Sequence, residues 1–332
     1  MKFNKVFKLL IQKPFPDFQD YILIEPPMTI EFSVERHNRA DANSANIKVM
    51  NLSEKTRQLI FRDRYQIWDP TSEIGWLNST APDGTKSAFL NSPRNVQLYA
   101  GYEHEADELS LIFNGQMNVG HSTRRGPDWI TEMECQDPGI YQYVVRSNLT
   151  MKKNATKAEI IQALYQNFAR VNWGQNLEGL ISNKYDDLKG TGERGIVLFG
   201  KTMKLVIDQA KDAGRDSNFY FDNGRPFAKM RGETFGNPAL TVINSATGLL
   251  NVPVRSGAQT TIQMLFTPQL QIGQRLSVVA REKVYNGEYE VIGIRHSGVI
   301  SGTHDLQSMT VVSLDNGALI KEVQDWNRTH GG

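Results

Sequence analysis

The chain has 332 residues, 39% hydrophobic and 22% charged, which is enough apolar material for two or three domain cores. Its 37 Lys and Arg residues nearly balance 36 Asp and Glu residues, which excludes a strongly basic nucleic-acid binder and a polyanionic tail protein. The single cysteine excludes an intramolecular disulfide and a cysteine-based zinc site. Without a signal-peptide pattern or a run of about 20 apolar residues, we expect no membrane insertion and folding in a reducing compartment.

Alternation of apolar and polar residues with a period of two is the strongest pattern along the chain. In residues 29–36, the side chains of Ile30, Phe32 and Val34 alternate with polar ones, which predicts a strand with one buried face. The same pattern recurs at 128–136, 262–266 and 276–280. Asn-Gly pairs at 114–115, 223–224, 286–287 and 316–317 predict two-residue hairpin turns, most clearly at 286–287. The sequence therefore predicts a mainly antiparallel β protein.

Helix signals are fewer and concentrate in the middle of the chain. Thr156 and Glu159 form a capping box ahead of apolar residues at helical spacing, and a second helix is predicted over about 202–213. Ser53 is predicted to cap a short helix. Near the C-terminus one apolar stripe is formed by Leu319, Ile320, Val323 and Trp326.

Charge divides the chain into regions. Residues 1–150 carry 16 basic and 19 acidic side chains, residues 151–235 carry 14 and 10, and residues 236–317 carry 5 and 5. We predict a first β domain at 1–150 with an inserted loop at 63–93, a helix-containing middle domain at 151–235, a second β domain at 236–317 and a C-terminal helix or tail at 318–332. The two β regions share a faint pattern around their Asn-Gly pairs, for which duplication and chance are both open explanations.

Motifs for cofactors and metals are weak. Residues 190–195 match the dinucleotide pattern GxGxxG, but a polar segment precedes them and an apolar run follows, the reverse of the expected strand and helix. The six histidines show no metal-ligand spacing. We predict no cofactor and no metal site.

Two places in the sequence carry residue types that could support catalysis. Cys135 with His121 could form a nucleophile and base, but the cysteine lies on the apolar face of an alternating strand, as a buried structural thiol does. Glu103, Glu105 and the neighbouring Asp107 and Glu108 could supply carboxylates for glycoside hydrolysis or for a cation, although a solvated hairpin tip is the better interpretation. We therefore predict no catalytic residue.

The segment 63–93 is long for a loop within a compact domain, and such loops are commonly functional or disordered. It holds Trp68, Trp76 and Phe89, and partner surfaces are where such side chains become buried. A loop packed on itself is an equal alternative. Together with Trp326, these three residues are the candidate interface residues.

Several motifs, in order, resemble the baseplate hub proteins of contractile-tailed bacteriophages, the family that includes the late-control D-type proteins. The first half contributes "NLS" at 51–53 after a strand, "AGY" at 100–102 and "FNG" at 113–115. The second half contributes "PQLQIG" at 268–273 and "NGEYEV" at 286–291, with His296 beyond. The insertion at 63–93 departs from the family pattern.

The resemblance implies two tail-tube-like antiparallel β-barrels with a smaller helix-containing region, and a structural, non-enzymatic role. It implies a homotrimer that joins a hexameric tail tube, or its initiator ring, to a trimeric spike, with other baseplate proteins and the tape-measure protein as further partners. DNA would pass without specific binding, and the protein would be part of the virion after assembly in the host cytoplasm. The alternatives from other classes are a tail-associated cell-wall glycan hydrolase and a carbohydrate-binding β module.

Overall fold

The computed structural model describes residues 4–13, 17, 19–62, 94–103, 109–137, 145–171, 180–191, 195–212, 217–233, 241–301 and 305–315. Within these residues lie eighteen strands and three α-helices, so the predicted mainly β fold with a helix-containing region is confirmed. The first nine strands are β1 Lys5–Gln12, β2 Tyr21–Ile24, β3 Ile30–His37, β4 Asn43–Met50, β5 Arg94–Tyr102, β6 Ser110–Arg125, β7 Asp128–Asp137, β8 Arg146–Met151 and β9 Leu180–Ile181. The others are β10 Ile196–Lys201, β11 Ser217–Asp222, β12 Arg225–Met230, β13 Thr241–Asn244, β14 Val254–Ser256, β15 Gln259–Leu265, β16 Arg275–Val279, β17 Gly287–Ile300 and β18 Asp305–Asp315. The helices are α1 Glu54–Ile60, α2 Lys157–Val171 and α3 Thr202–Asp212.

The chain forms two compact units that are discontinuous in sequence. The first comprises Met1–Val34, Ser44–Gly139 and His296–Ser308, and the second comprises Glu35–Asn43, Ile140–Arg295 and Met309–Gly332. The domain boundaries predicted near 150 and 236 come from changes in charge along the sequence, and they stay a prediction.

An antiparallel sheet organises the first unit, in the order β3-β4-β7-β6-β5-β1-β2. Ile30, Phe32 and Val34 of β3 are buried as their alternation predicted, and Met133 and Cys135 of β7 are buried in the same way. Ser53 caps α1, accepting a hydrogen bond from the backbone N–H of Thr56, as predicted.

Only one of the Asn-Gly predictions is confirmed among the described residues. Asn223 and Gly224 have φ angles of +51° and +79° and form the two-residue turn between β11 and β12. The turn prediction is wrong at Asn114-Gly115, which lies within β6 and pairs with β5. It is also wrong at Asn286-Gly287, which follows a short 3-10 helix and begins β17. The pair at 316–317 lies outside the described residues.

Gly115 is required by packing and not by a turn. A Cβ atom there would lie 2.6 Å from the backbone oxygen of Gln136 and 2.6 Å from Cζ of the buried Phe113. The missing side chain therefore allows β6 to approach its neighbours closely.

Gly115→Ala is expected to lower the free energy of unfolding by about 1–3 kcal/mol. The added methyl group would overlap with the backbone oxygen of Gln136, which cannot move aside as the end of a side chain can. Urea unfolding followed by circular dichroism measures it. Ser110→Ala, on the same strand, is the control and should change stability by less than about 0.5 kcal/mol. Equal stability of the two variants would contradict the packing explanation.

In the second unit, the strands run in the order β14-β15-β18-β17, with β16 paired to another stretch of β17 and β13 parallel to β16. The order of paired strands in the described residues is open, so the two closed barrels stay a prediction. The helices α2 and α3 lie where predicted, and the side chains of Thr156 and Glu159 bond each other's backbone N–H groups as a capping box.

A small sheet, in the order β11-β12-β9, is buried on both faces within the second unit. On one face, Phe219 and Phe221 join the core formed around α2 and α3. On the other face, Tyr220 joins the core of the sheet that includes β15 to β18, and its ring stacks on Phe227 with centroids 5.1 Å apart. The sheet is thus the middle layer between two hydrophobic cores.

Candidate interfaces and a buried charge network

The predicted interface residues lie in segments that the structure does not describe. Trp68, Trp76 and Phe89 belong to residues 63–93, and Trp326 belongs to residues 316–332, all outside the described ranges. Their role as interface residues stays a prediction.

The structure describes only some of the residues that could support catalysis. Glu103 accepts a hydrogen bond of 2.9 Å from the side-chain amide of Asn4, while residues 104–108 are outside the described part. Cys135 is buried, and this burial raises the pKa of its thiol far above the usual value. A thiol so strongly held in the neutral form is a poor nucleophile, in keeping with the predicted structural role.

The GxGxxG segment serves local packing where it is described. A Cβ atom on Gly190 would lie 2.5 Å from Cδ1 of Ile160 and 2.8 Å from the backbone oxygen of Thr156. The hydroxyl of Thr191 accepts a hydrogen bond from the backbone N–H of Ala155 and donates one to the backbone oxygen of Lys152. These contacts bring the segment against the N-terminus of α2, and the strand β10 follows where a nucleotide-binding helix would begin.

The described residues hold neither a metal-binding group of side chains nor a membrane-spanning helix. Among them, no three His, Cys, Asp or Glu side chains are grouped closely enough to hold a metal ion. None of the helices described is long and apolar enough to cross a membrane.

Exposed apolar side chains mark two surfaces of the second unit. On β10, Val197 is 66% and Phe199 is 73% exposed, and the opposing strand β8 places Thr150 and Asn148 beside them. The second surface lies around β14, where Val254 is 69% exposed. The sequence analysis did not predict either exposed surface. The alternation in 196–201 and the apolar residues within 249–254 are the patterns that could have indicated them.

A buried ion pair links one face of the middle sheet to β17. Lys229 of β12 and Glu290 of β17 are 0% and 1% exposed, and the ammonium donates a hydrogen bond to Oε1 of the carboxylate. The ammonium also donates to the backbone oxygen of Glu233 at 2.6 Å. Oε2 of Glu290 accepts a hydrogen bond of 2.9 Å from the backbone N–H of Gly232. Both charged groups therefore have several partners, which offset the cost of removing them from water.

A second ion pair lies on the same face of the middle sheet. The guanidinium of Arg36 in β3 lies 3.2 Å from Oδ1 of Asp222 and donates a hydrogen bond of 2.9 Å to the backbone oxygen of Leu270. Burial raises the pKa of Asp222, and the nearby Arg36 acts in the opposite direction without cancelling this effect. Because the folded state binds the proton more tightly, ionised Asp222 destabilises the fold above its folded pKa, and this cost disappears as the pH falls below the unfolded pKa.

Comparison with known families identifies the chain. A family model described as baseplate hub gp41 matches residues 9–297. The chain belongs to this family of baseplate hub proteins. The hub is thus a component of the phage tail, as its motifs predicted. No curated protein matched the hub.

Solved structures share the fold of the hub. The tail protein from Neisseria meningitidis MC58 is 8% identical, with a TM-score of 0.57 over 94% of the hub and 97% of that chain. The 43 kDa tail protein of prophage MuSo2 from Shewanella oneidensis is 8% identical, with a TM-score of 0.53 over 93% of the hub and 98% of that chain. The Escherichia coli c3393 protein, a component of the type VI secretion system with structural similarity to T4 tail proteins gp27 and gp5, is 11% identical, with a TM-score of 0.50 over 86% and 73%.

Two of the motifs have a structural explanation in the hub. Asn51 of "NLS" has a φ angle of +58°, and its side chain bonds the carboxylate of Asp128 and the backbone N–H of Trp129, which connects the end of β4 to the start of β7. Gly273 of "PQLQIG" has a φ angle of +82°, and a Cβ atom there would lie 3.4 Å from Nζ of Lys229. The positive φ angle, more than the space available, therefore accounts for the glycine of this motif.

Proposed function

We propose that the hub is a structural symmetry adaptor, which joins the hexameric tail tube to the trimeric central spike and lines the DNA channel. The observation that carries this proposal is the match of residues 9–297 to baseplate hub proteins. It is supported by the likeness of the fold to that of solved tail proteins.

The adaptor arrangement follows from symmetry. Two tube-like barrels per chain, built mainly from residues before 150 and after 236, give six barrels when three chains close into a ring. Closed cyclic symmetry makes this assembly finite, with three-fold contacts to the spike and quasi-six-fold contacts to the tube or its initiator ring. The net charge of +1 suits a channel through which DNA slides without being held. Assembly in the host cytoplasm, with other baseplate proteins and the tape-measure protein as neighbours, belongs to the same proposal.

The copy number in the assembled baseplate tests the adaptor role. We expect cryo-electron microscopy of the baseplate to show three copies of the chain around a three-fold axis, each with two barrels facing the tube. Light scattering of the isolated chain does not replace this measurement, because trimer formation can depend on the partners. Six copies per baseplate, or a chain with one barrel, would overturn the proposal.

We also propose that the hub has no hydrolytic activity. Incubation of purified hub with peptidoglycan is expected to release no soluble fragments, because we predict neither a nucleophile with a base nor a carboxylate pair. Glu105→Ala serves as the matched variant, since Glu105 belongs to the acidic cluster that could supply carboxylates for glycoside hydrolysis. Turnover by the wild type that Glu105→Ala abolishes would contradict the structural role and favour the hydrolase.

A further inference from the structure

The strand β10 is an open edge of a two-stranded sheet in the second unit. Among the described residues it pairs only with β8, so the backbone groups along its other side have no strand partner there. It contains no proline, and its pairing with β8 runs without a bulge, so it lacks two features by which edge strands commonly avoid further pairing. A regular strand edge of this kind can accept an added strand.

The two faces of β10 differ in what covers them. Leu198 is buried in the core around α2 and α3, which holds the strand in place. Val197 and Phe199 point to the opposite face and are 66% and 73% exposed. Their neighbours on β8 are the polar side chains of Thr150 and Asn148, so the apolar surface borders the open edge of the sheet. An unpaired backbone with apolar side chains beside it is the combination that strand addition uses.

Two cations lie at one end of the exposed face. Lys201 of β10 pairs directly with Arg146 of β8, and both side chains are exposed. Like charges opposite each other destabilise a sheet, and within the described part of the chain neither cation is ion-paired. The helix α3 begins at the next residue, Thr202, without an acidic residue in its first turn, so its dipole adds to the positive potential. This end of the sheet therefore lacks a counter-charge.

We define the β10 edge by Val197, Phe199 and Lys201. We propose that it binds an extended acidic segment of another protein, which adds to β10 as an antiparallel strand. Residues directly opposite each other in paired strands point to the same face. The segment therefore places a carboxylate opposite Lys201 and apolar side chains opposite Phe199 and Val197, in the order acidic, apolar, apolar at positions i, i+2 and i+4.

The charges favour a different protein over a second copy of the chain. Neither β8 nor β10 contains an acidic residue, so the same edge of a second copy would add cations and supply no carboxylate. A nucleic acid fits less well, because two cations neutralise few phosphates, while the apolar side chains would gain nothing from a phosphate backbone. The inference rests on the fold of the second unit and holds independently of the adaptor role.

Binding of a synthetic peptide to the full chain tests the proposal. The probe is a fluorescein-labelled peptide with the sequence Thr-Glu-Thr-Val-Thr-Val-Thr and blocked termini, and the matched control peptide has lysine in place of glutamate. Fluorescence anisotropy at low ionic strength is expected to show that the hub binds the glutamate peptide at least about tenfold more tightly, because the control places like charges together. Equal binding of the two peptides, or no binding of the glutamate peptide, overturns the proposal.

Charge reversal locates the binding site. The variant Arg146→Glu/Lys201→Glu is expected to prefer the lysine peptide, a reversal that a misfolded protein would not produce. Arg281→Glu/Lys283→Glu makes the same change in charge at exposed positions of the same unit and should keep the preference for glutamate. An unchanged preference in the first variant overturns the proposal.

Hydrogen exchange identifies the mode of binding. With the glutamate peptide in excess, the backbone amides within 196–201 are expected to exchange at least about fivefold more slowly, and those of α1 should not change. Unchanged exchange in 196–201 overturns strand addition.

The other two occupants have their own outcomes. Tighter binding of a single-stranded oligodeoxythymidine that Arg146→Glu/Lys201→Glu abolishes would overturn the proposal in favour of a nucleic acid. Self-association of the hub in sedimentation that Phe199→Asp abolishes would overturn it in favour of a second copy.

Discussion

Lys229→Met is expected to lower the free energy of unfolding by about 3–5 kcal/mol, because it leaves the carboxylate of Glu290 buried without its cation. Lys229 and Glu290 are 0% and 1% exposed, so water cannot replace the lost partner. Urea unfolding followed by circular dichroism measures the loss. The same substitution also removes the hydrogen bond to the backbone oxygen of Glu233.

The double variant Lys229→Met/Glu290→Leu separates the charge from the packing. Removing both charges is expected to recover most of the lost stability, since apolar replacements of buried ion pairs are often neutral or stabilising. Lys184→Met is the matched control, because Lys184 is 60% exposed and lies 3.4 Å from the carboxylate of Glu233, so its loss costs at most about 1 kcal/mol. A Lys229→Met variant as stable as the Lys184→Met control would show that the ion pair is not needed.

The double variant Trp68→Ala/Trp76→Ala is expected to weaken incorporation of the hub into baseplates about 30-fold or more. The reason is that truncating one buried aromatic anchor commonly costs about 2 kcal/mol. The measurement is co-purification of the variant hub with the other baseplate proteins, together with sedimentation of the hub alone. The effect rests on the predicted interface in residues 63–93.

Tyr21→Ala provides a matched aromatic control, since Tyr21 is exposed on β2 and lies outside the insertion. Unfolding of the purified variants by urea distinguishes a lost interface from a lost fold. If the double variant keeps its stability, its self-association and its partner binding, the segment has no role as an interface.

The sequence predicted the strands and helices whose signals are local. Alternation along β3 and β7 arises because one face of each strand packs on a core, and each strand records this in its own sequence. The capping box joins Thr156 to Glu159, which are three residues apart. The short hub motifs, taken in their order along the chain, indicated the family whose model matches residues 9–297.

The sequence by itself determined a mainly β protein with helices α1, α2 and α3 and the family to which it belongs, because periodicity and capping act over a few residues. Only the tertiary structure decided that Asn114-Gly115 lies inside β6, since a glycine permits a turn but also permits close packing between strands. Only the tertiary structure showed that Arg36 and Lys229 are buried, because their ion-pair partners Asp222 and Glu290 come from strands distant in sequence. A charge on a strand becomes a core residue only when a second layer covers it and supplies the opposite charge, and no local pattern records that layer.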